Sequence, residues 1–156
     1  MKTIIRNARV MNEDKLSDLY IADGVISAPF SDTADMEIDV KGSALFPGLI
    51  DAHCHLREPG YEYKEDIESG TKSAAKGGFT SVCPMPNTSP VCDSPSVVQS
   101  IMKIASQKAS CNVFPIGAAS KGLKGQELSE IGLMKQAGIV AVSDDGLPIK
   151  TASQLR

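Results

Sequence analysis

Long apolar runs are missing from this sequence: its apolar stretches are short pieces such as Ala44-Leu45-Phe46, far below the roughly 20 residues a membrane-spanning helix needs. The N-terminal Met1-Lys2-Thr3-Ile4-Ile5-Arg6 has charge but no apolar core or cleavage site, so no signal peptide is expected and the location read from the sequence is cytoplasmic. Basic runs are missing too. With Lys+Arg at 16 against Asp+Glu at 19 the net charge is −3, which argues against a surface that binds nucleic acid by neutralising phosphates. Glycine and proline, 13 and 9 of 156 residues, stay near background and exclude a collagen-like or linker composition. No repeat or low-complexity tract is visible. None of the four cysteines, Cys54, Cys83, Cys92 and Cys111, stands two to four residues from another, so no structural zinc knuckle is formed. They sit mostly in apolar segments and read as reduced thiols in or near a core; Cys54, flanked by histidines, stands apart.

What is present reads as a folded chain, with 42% hydrophobic and 22% charged residues over a length sufficient for a core. Residues 1–46 read as a small antiparallel β unit. Residues 3–10 form a strand candidate, and 19–22 and 25–27 form a hairpin around Asp23-Gly24, a pair that supplies the positive φ of a tight turn. Residues 37–40 alternate as a further strand. From Pro47 the texture changes to strand and helix in turn. Strands are expected at 48–53, 79–83, 111–118 and 139–143, and helices at 63–77, from 94 to about 109, and at 126–137, the last with Leu128, Ile131 and Met134 at helical spacing. Such alternation means parallel strands joined by crossover helices. Four such units are half of a (β/α)8 barrel. Residues 151–156 look like the start of another helix.

The chemistry concentrates in Pro47-Gly48-Leu49-Ile50-Asp51-Ala52-His53-Cys54-His55-Leu56-Arg57-Glu58-Pro59-Gly60, which holds the only two histidines of the protein. At i, i+2 on a strand both imidazoles share one face, with Cys54 on the other. They fall at the carboxyl end of the first strand after the β unit, the end at which parallel α/β sheets build active sites. Neutral imidazole is a preferred ligand of Zn²⁺ and similar metals. A bare pair of this kind would often be two polar residues at a strand end. Here Asp51 precedes and Arg57 follows on the same face, and four ionisable groups in one row make sense around a charged centre rather than as buried packing.

The stretch from Asp51 to Gly60, preceded by Pro47-Gly48, resembles the metal-binding signature of dihydroorotases, members of the amidohydrolase superfamily of metal-dependent barrels. Gly77-Gly78-Phe79-Thr80, then Met85-Pro86-Asn87-Thr88, then Ser143-Asp144-Asp145-Gly146 follow in the order of that family's blocks. The resemblance implies an α/β fold, a (β/α)8 TIM barrel of which residues 47–156 are the first four units, preceded at 1–46 by part of a small β-sandwich. It implies that His53 and His55 ligate the more buried ion of a two-zinc centre. Asp145 would supply the carboxylate that ligates or bridges the metals, where many relatives carry a carboxylated lysine; Asp144 is the alternative, and Asp145 is favoured. Arg57 would pair with the substrate carboxylate, for which a guanidinium fork is suited. Asn87 would hydrogen-bond the same carboxylate, although Pro86-Asn87-Thr88 is equally a turn. Asp51 would support a ligand histidine from behind, or stand in solvent at the strand end.

The implied reaction is the reversible cyclisation of N-carbamoyl-L-aspartate to L-dihydroorotate in pyrimidine synthesis. Further ligand histidines and the carboxylate that moves the proton are expected beyond Arg156, so the 156 residues alone are expected to be an inactive N-terminal part. Expected partners are the small-molecule substrate and either a second copy or aspartate transcarbamoylase, with neither nucleic acid nor membrane. Two other readings stay open: a non-catalytic dihydroorotase-like subunit scaffolding aspartate transcarbamoylase, against which the intact histidine pair speaks, and a hydantoinase- or allantoinase-type amidohydrolase, against which Arg57 speaks.

Overall fold

The computed structural model describes residues 1–11 and 13–149. It divides into two compact units, Met1–Pro47 and Gly48–Arg156. The helix expected to begin at residues 151–156 lies outside the described residues.

The first unit is a five-stranded sheet: β1 (Lys2–Val10), β2 (Ser17–Ala22), β3 (Val25–Ser27), β4 (Met36–Asp39) and β5 (Ala44–Leu45), in the order β3-β2-β1-β4 with β5 also on β1. The Asp23-Gly24 turn takes φ of 52° and 80°, as its hairpin requires. The sheet is mixed rather than antiparallel as expected: β2 runs against β1, while β4 and β5 run parallel to it. The hairpin is fixed by a two-residue turn, but the long connection before β4 lets that strand return in either direction. A bulge between Ile5 and Ala8 sets Asn7 at φ 55°, with its N–H donating to Asp18 Oδ1 at 3.0 Å. Arg6 pairs across the strands with Asp18 at 2.8 Å and Glu37 at 3.0 Å.

The second unit carries the β/α rhythm. Its elements are β6 (Leu49–Cys54), α1 (Ile67–Lys76), β7 (Phe79–Pro84), α2 (Pro95–Lys108), β8 (Asn112–Val113), β9 (Ile116–Gly117), α3 (Ile131–Ala137) and β10 (Ala141–Val142). Strands β6, β7 and β8 pair in that order, all parallel, and β9 pairs in parallel with β10. The single strand expected at 111–118 is thus split. Pro115 has no N–H to give the ladder, and the chain passes it by using both neighbours: Phe114 N donates to Val82 O at 2.9 Å, and Val140 N donates to Pro115 O at 3.1 Å. The four barrel strands are therefore β6, β7, β8 with β9, and β10.

The helices cover one face of these strands. Ile67 of α1, Val98 of α2 and Met134 of α3 are fully buried and meet Val82 of β7, Cys92 and Ile139 in one core. Two helices start later than their expected 63 and 126. Helix α1 begins after Asp66, whose carboxylate accepts from Ser69 N at 2.7 Å while the Ser69 hydroxyl reaches back to Asp66 N, a capping box that fixes the start. Helix α3 begins at Ile131, and Leu128, expected on its buried face, instead bridges Ser120 and is 41% exposed. Among the described residues no helix is long and apolar enough to cross a membrane.

Candidate metal centre

The carboxyl ends of the barrel strands are tied together by backbone bonds. Met85 N donates to Cys54 O at 2.9 Å, and Ser89 N donates to Pro59 O at 2.9 Å, so the loops after β6 and β7 lie edge to edge. Gly60 makes that approach possible: its φ is 96°, and a Cβ there would lie 2.0 Å from Ser89 O. Glu58 anchors the same loop to the start of α1, its Oε2 accepting from Ile67 N at 3.0 Å. These ties bring Asn87, on the second loop, beside His55 on the first.

The alternation of β6 fails before its end. Asp51 pairs with Val82 and Cys54 with Pro84, three steps along β6 against two along β7, and such a bulge re-aims the side chains that follow. Asp51 therefore does not join a row with the histidines. Its Oδ1 accepts from the backbone N of His53 at 3.0 Å, and it lines a cavity of about 280 Å³ with Cys54, His55 and Val82. Burial, with the Asp51 charge adding to it, pushes the Cys54 thiol up to about 12. His55 and Arg57 lie beyond the last residue of β6, and Arg57 adopts φ 61°, so the expected strand-face spacing does not reach them.

The two imidazoles nevertheless converge, their ring centroids 5.5 Å apart. Asp145, in the turn three residues beyond β10 and in the left-handed region at φ 50°, turns its carboxylate to them: Oδ1 lies 3.1 Å from His53 Nε2. Asp144 faces the other way. It is buried and accepts from Ser120 N at 2.9 Å and from the Ser120 hydroxyl. Asn87 completes the group, with Oδ1 3.0 Å from His55 Nδ1 and Nδ2 donating to Asp145 Oδ2. The structure thus gathers His53, His55, Asn87 and Asp145. The half-buried Arg57 follows two residues after His55, its backbone oxygen accepting from Tyr61 N at 3.1 Å.

The donor set fits a metal. His53, His55 and Asp145 each offer one ligand atom, all within 4.8 Å of one another. Ligands on one tetrahedral zinc at about 2.0–2.2 Å stand ~3.3–3.6 Å apart, so side-chain shifts on the order of 1 Å close the set. Sequence reasoning missed the tie from Asn87 to His55 and Asp145, the Ser120–Asp144 contact and the capping role of Glu58. Each joins residues distant in sequence, for which spacing carries no signal.

Comparison with known proteins places the chain in a family. The model of the dihydro-orotase-like family matches residues 42–155. Curated dihydroorotases of Ruminiclostridium cellulolyticum and Acetivibrio thermocellus are 55% and 53% identical over 100% and 93% of this chain. The chain spans 38% and 35% of their own lengths. Among solved structures, an L-hydantoinase (dihydropyrimidinase) from Arthrobacter aurescens superposes with a TM-score of 0.78 at 27% identity, covering 98% of this chain and 36% of that one. The chain belongs to the dihydro-orotase-like family.

Proposed function

We propose that these residues are the metal-binding part of a dihydroorotase that interconverts N-carbamoyl-L-aspartate and L-dihydroorotate. The observation that supports this most is the convergence of His53, His55 and Asp145 from the ends of the first and fourth barrel strands. In this reading the group holds zinc, with His53 and His55 on the more buried of two ions and Asp145 on one or both. Bound zinc supplies Lewis acidity: it polarises an amide carbonyl and lowers the pKa of water towards about 7.

The remaining roles fall to the chain itself. His53 and His55 present neutral imidazoles, and Asp145 balances part of the metal charge. Arg57 takes the substrate carboxylate in a two-point guanidinium pairing, which fixes the ring relative to the histidines. Asn87 offers its amide to the same carboxylate. The loop ties through Gly60 and Glu58 hold Arg57 and Asn87 in register. The reading puts the protein in pyrimidine synthesis in the cytoplasm. Its assembly is either a homodimer or a complex with aspartate transcarbamoylase, which the native mass of the purified protein distinguishes.

The likeness to an L-hydantoinase makes a cyclic amide without a carboxylate the second reading, and Arg57 separates the two. In the full-length enzyme, Arg57→Ala is expected to raise the KM for carbamoyl aspartate by tenfold or more, as loss of a charge-assisted pair worth about 1.5–3 kcal/mol requires. An unchanged KM for carbamoyl aspartate in the variant, or hydantoin as the better substrate of the unsubstituted enzyme, would overturn the assignment.

A further inference from the structure

The Asn87 side chain links the loop after β6, through His55, to the loop after β10, through Asp145, and its chemistry fixes how it must be oriented. A carboxylate only accepts hydrogen bonds, so the atom of Asn87 facing Asp145 Oδ2 is the NH2. The carbonyl Oδ1 then faces His55 Nδ1 at 3.0 Å, and a carbonyl also only accepts. His55 Nδ1 must therefore carry the proton, which leaves the Nε2 lone pair free. At the other end the NH2 occupies Asp145 Oδ2, leaving Oδ1 on the side of His53 Nε2, 3.1 Å away. One amide thus selects the tautomer of one ligand and the presented oxygen of another.

We propose that Asn87 is a positioning residue of the metal centre, which holds His55 in its Nδ1–H form and turns Asp145 Oδ1 towards the histidines before any metal binds. This rests on the metal-site reading above and gives Asn87 a task distinct from contact with the substrate carboxylate. The same amide cannot hold its NH2 on Asp145 and on a substrate carboxylate with one hydrogen. It has two, so the hydrogen not used on Asp145 remains for substrate. Partners of this kind are worth about 10–100-fold in metal affinity.

The test uses the full-length enzyme stripped of metal, with zinc affinity read by competition against a chromophoric chelator and no substrate present. Asn87→Ala is expected to weaken zinc binding about 10–100-fold, and Asn87→Leu, which keeps the volume without polar atoms, to do the same if the alanine variant fails to fold. In the metal-free unsubstituted enzyme, the ¹⁵N shifts of His55 are expected to report protonation at Nδ1, against the Nε2–H form that free imidazole favours. Wild-type zinc affinity in a folded variant, with only the KM for carbamoyl aspartate raised, would overturn the proposal and leave Asn87 as a substrate contact alone. His55→Ala is the control for the reading beneath it: unchanged zinc binding there would mean that the metal site itself is misassigned.

Discussion

Asp144 and Asp145 are adjacent carboxylates with opposite surroundings, because the chain enters the left-handed region at Asp145. Asp144 lies 5% exposed under two donors from Ser120, whereas Asp145 faces His53. Asp144→Ala would leave the buried Ser120 N–H without an acceptor and is expected to cost about 1–3 kcal/mol, read by urea unfolding of the metal-free full-length enzyme. Asp145→Ala in the same assay is expected to cost under about 1 kcal/mol. Equal losses would contradict the division. Burial pushes the Cys92 thiol up to about 12, so Cys92 and Cys54 are expected to be the last thiols alkylated by iodoacetamide at pH 8, by peptide mass mapping. The meeting of His53 and His55 was legible because both stand in one short motif. Asp145 was favoured over Asp144 by resemblance alone; the physical reason, the Ser120 donors that take up Asp144 from 24 residues away, left no signal in the sequence.

At the scale of elements, helix α1 is set by its first turn. Asp66→Ala removes the acceptor for Ser69 N, and the thermal or urea stability is expected to fall by about 1 kcal/mol. The loop before that helix depends on Gly60. Gly60→Ala forces a Cβ towards Ser89 O at a positive φ, and the expected cost, on the order of 1–3 kcal/mol, comes with weakened metal binding because the loops bearing His55 and Asn87 must part. The strand–helix order of residues 48–142 was readable from apolar periodicity, since buried strands and amphipathic helices leave different rhythms. Boundaries were less so: Asp66 carries the start signal of α1, but the polar residues at 64–66 give no apolar rhythm to set it against. The parallel run of β4 beside β1 had no local signal, because strand direction is decided by where a long connection returns.

At the scale of the molecule, two features separate the units. In the first, Arg6 holds Asp18 below the usual carboxylate range, as do the N-terminal ammonium for Asp23 and Lys2 for Asp32. A carboxylate with a depressed folded pKa stabilises above its unfolded value near 3.9 and loses that contribution as pH falls through the folded value. Stability of this sheet is therefore expected to be level from pH 6 to 8 and to fall below about pH 4, by circular dichroism across pH. In the second unit, helices cover one face of the parallel strands, while Ile50 of β6 and Val142 of β10 are 67% and 40% exposed. Parallel sheets are normally covered on both faces, so the 156 residues on their own are expected to bind a hydrophobic dye. Whether His53, His55 and Asp145 together hold metal is read from zinc content. Purified full-length enzyme, measured by mass spectrometry of the element, is expected to carry two zinc ions per chain, falling to one or none in each of His53→Ala, His55→Ala and Asp145→Ala. Undiminished zinc in all three variants would contradict the account.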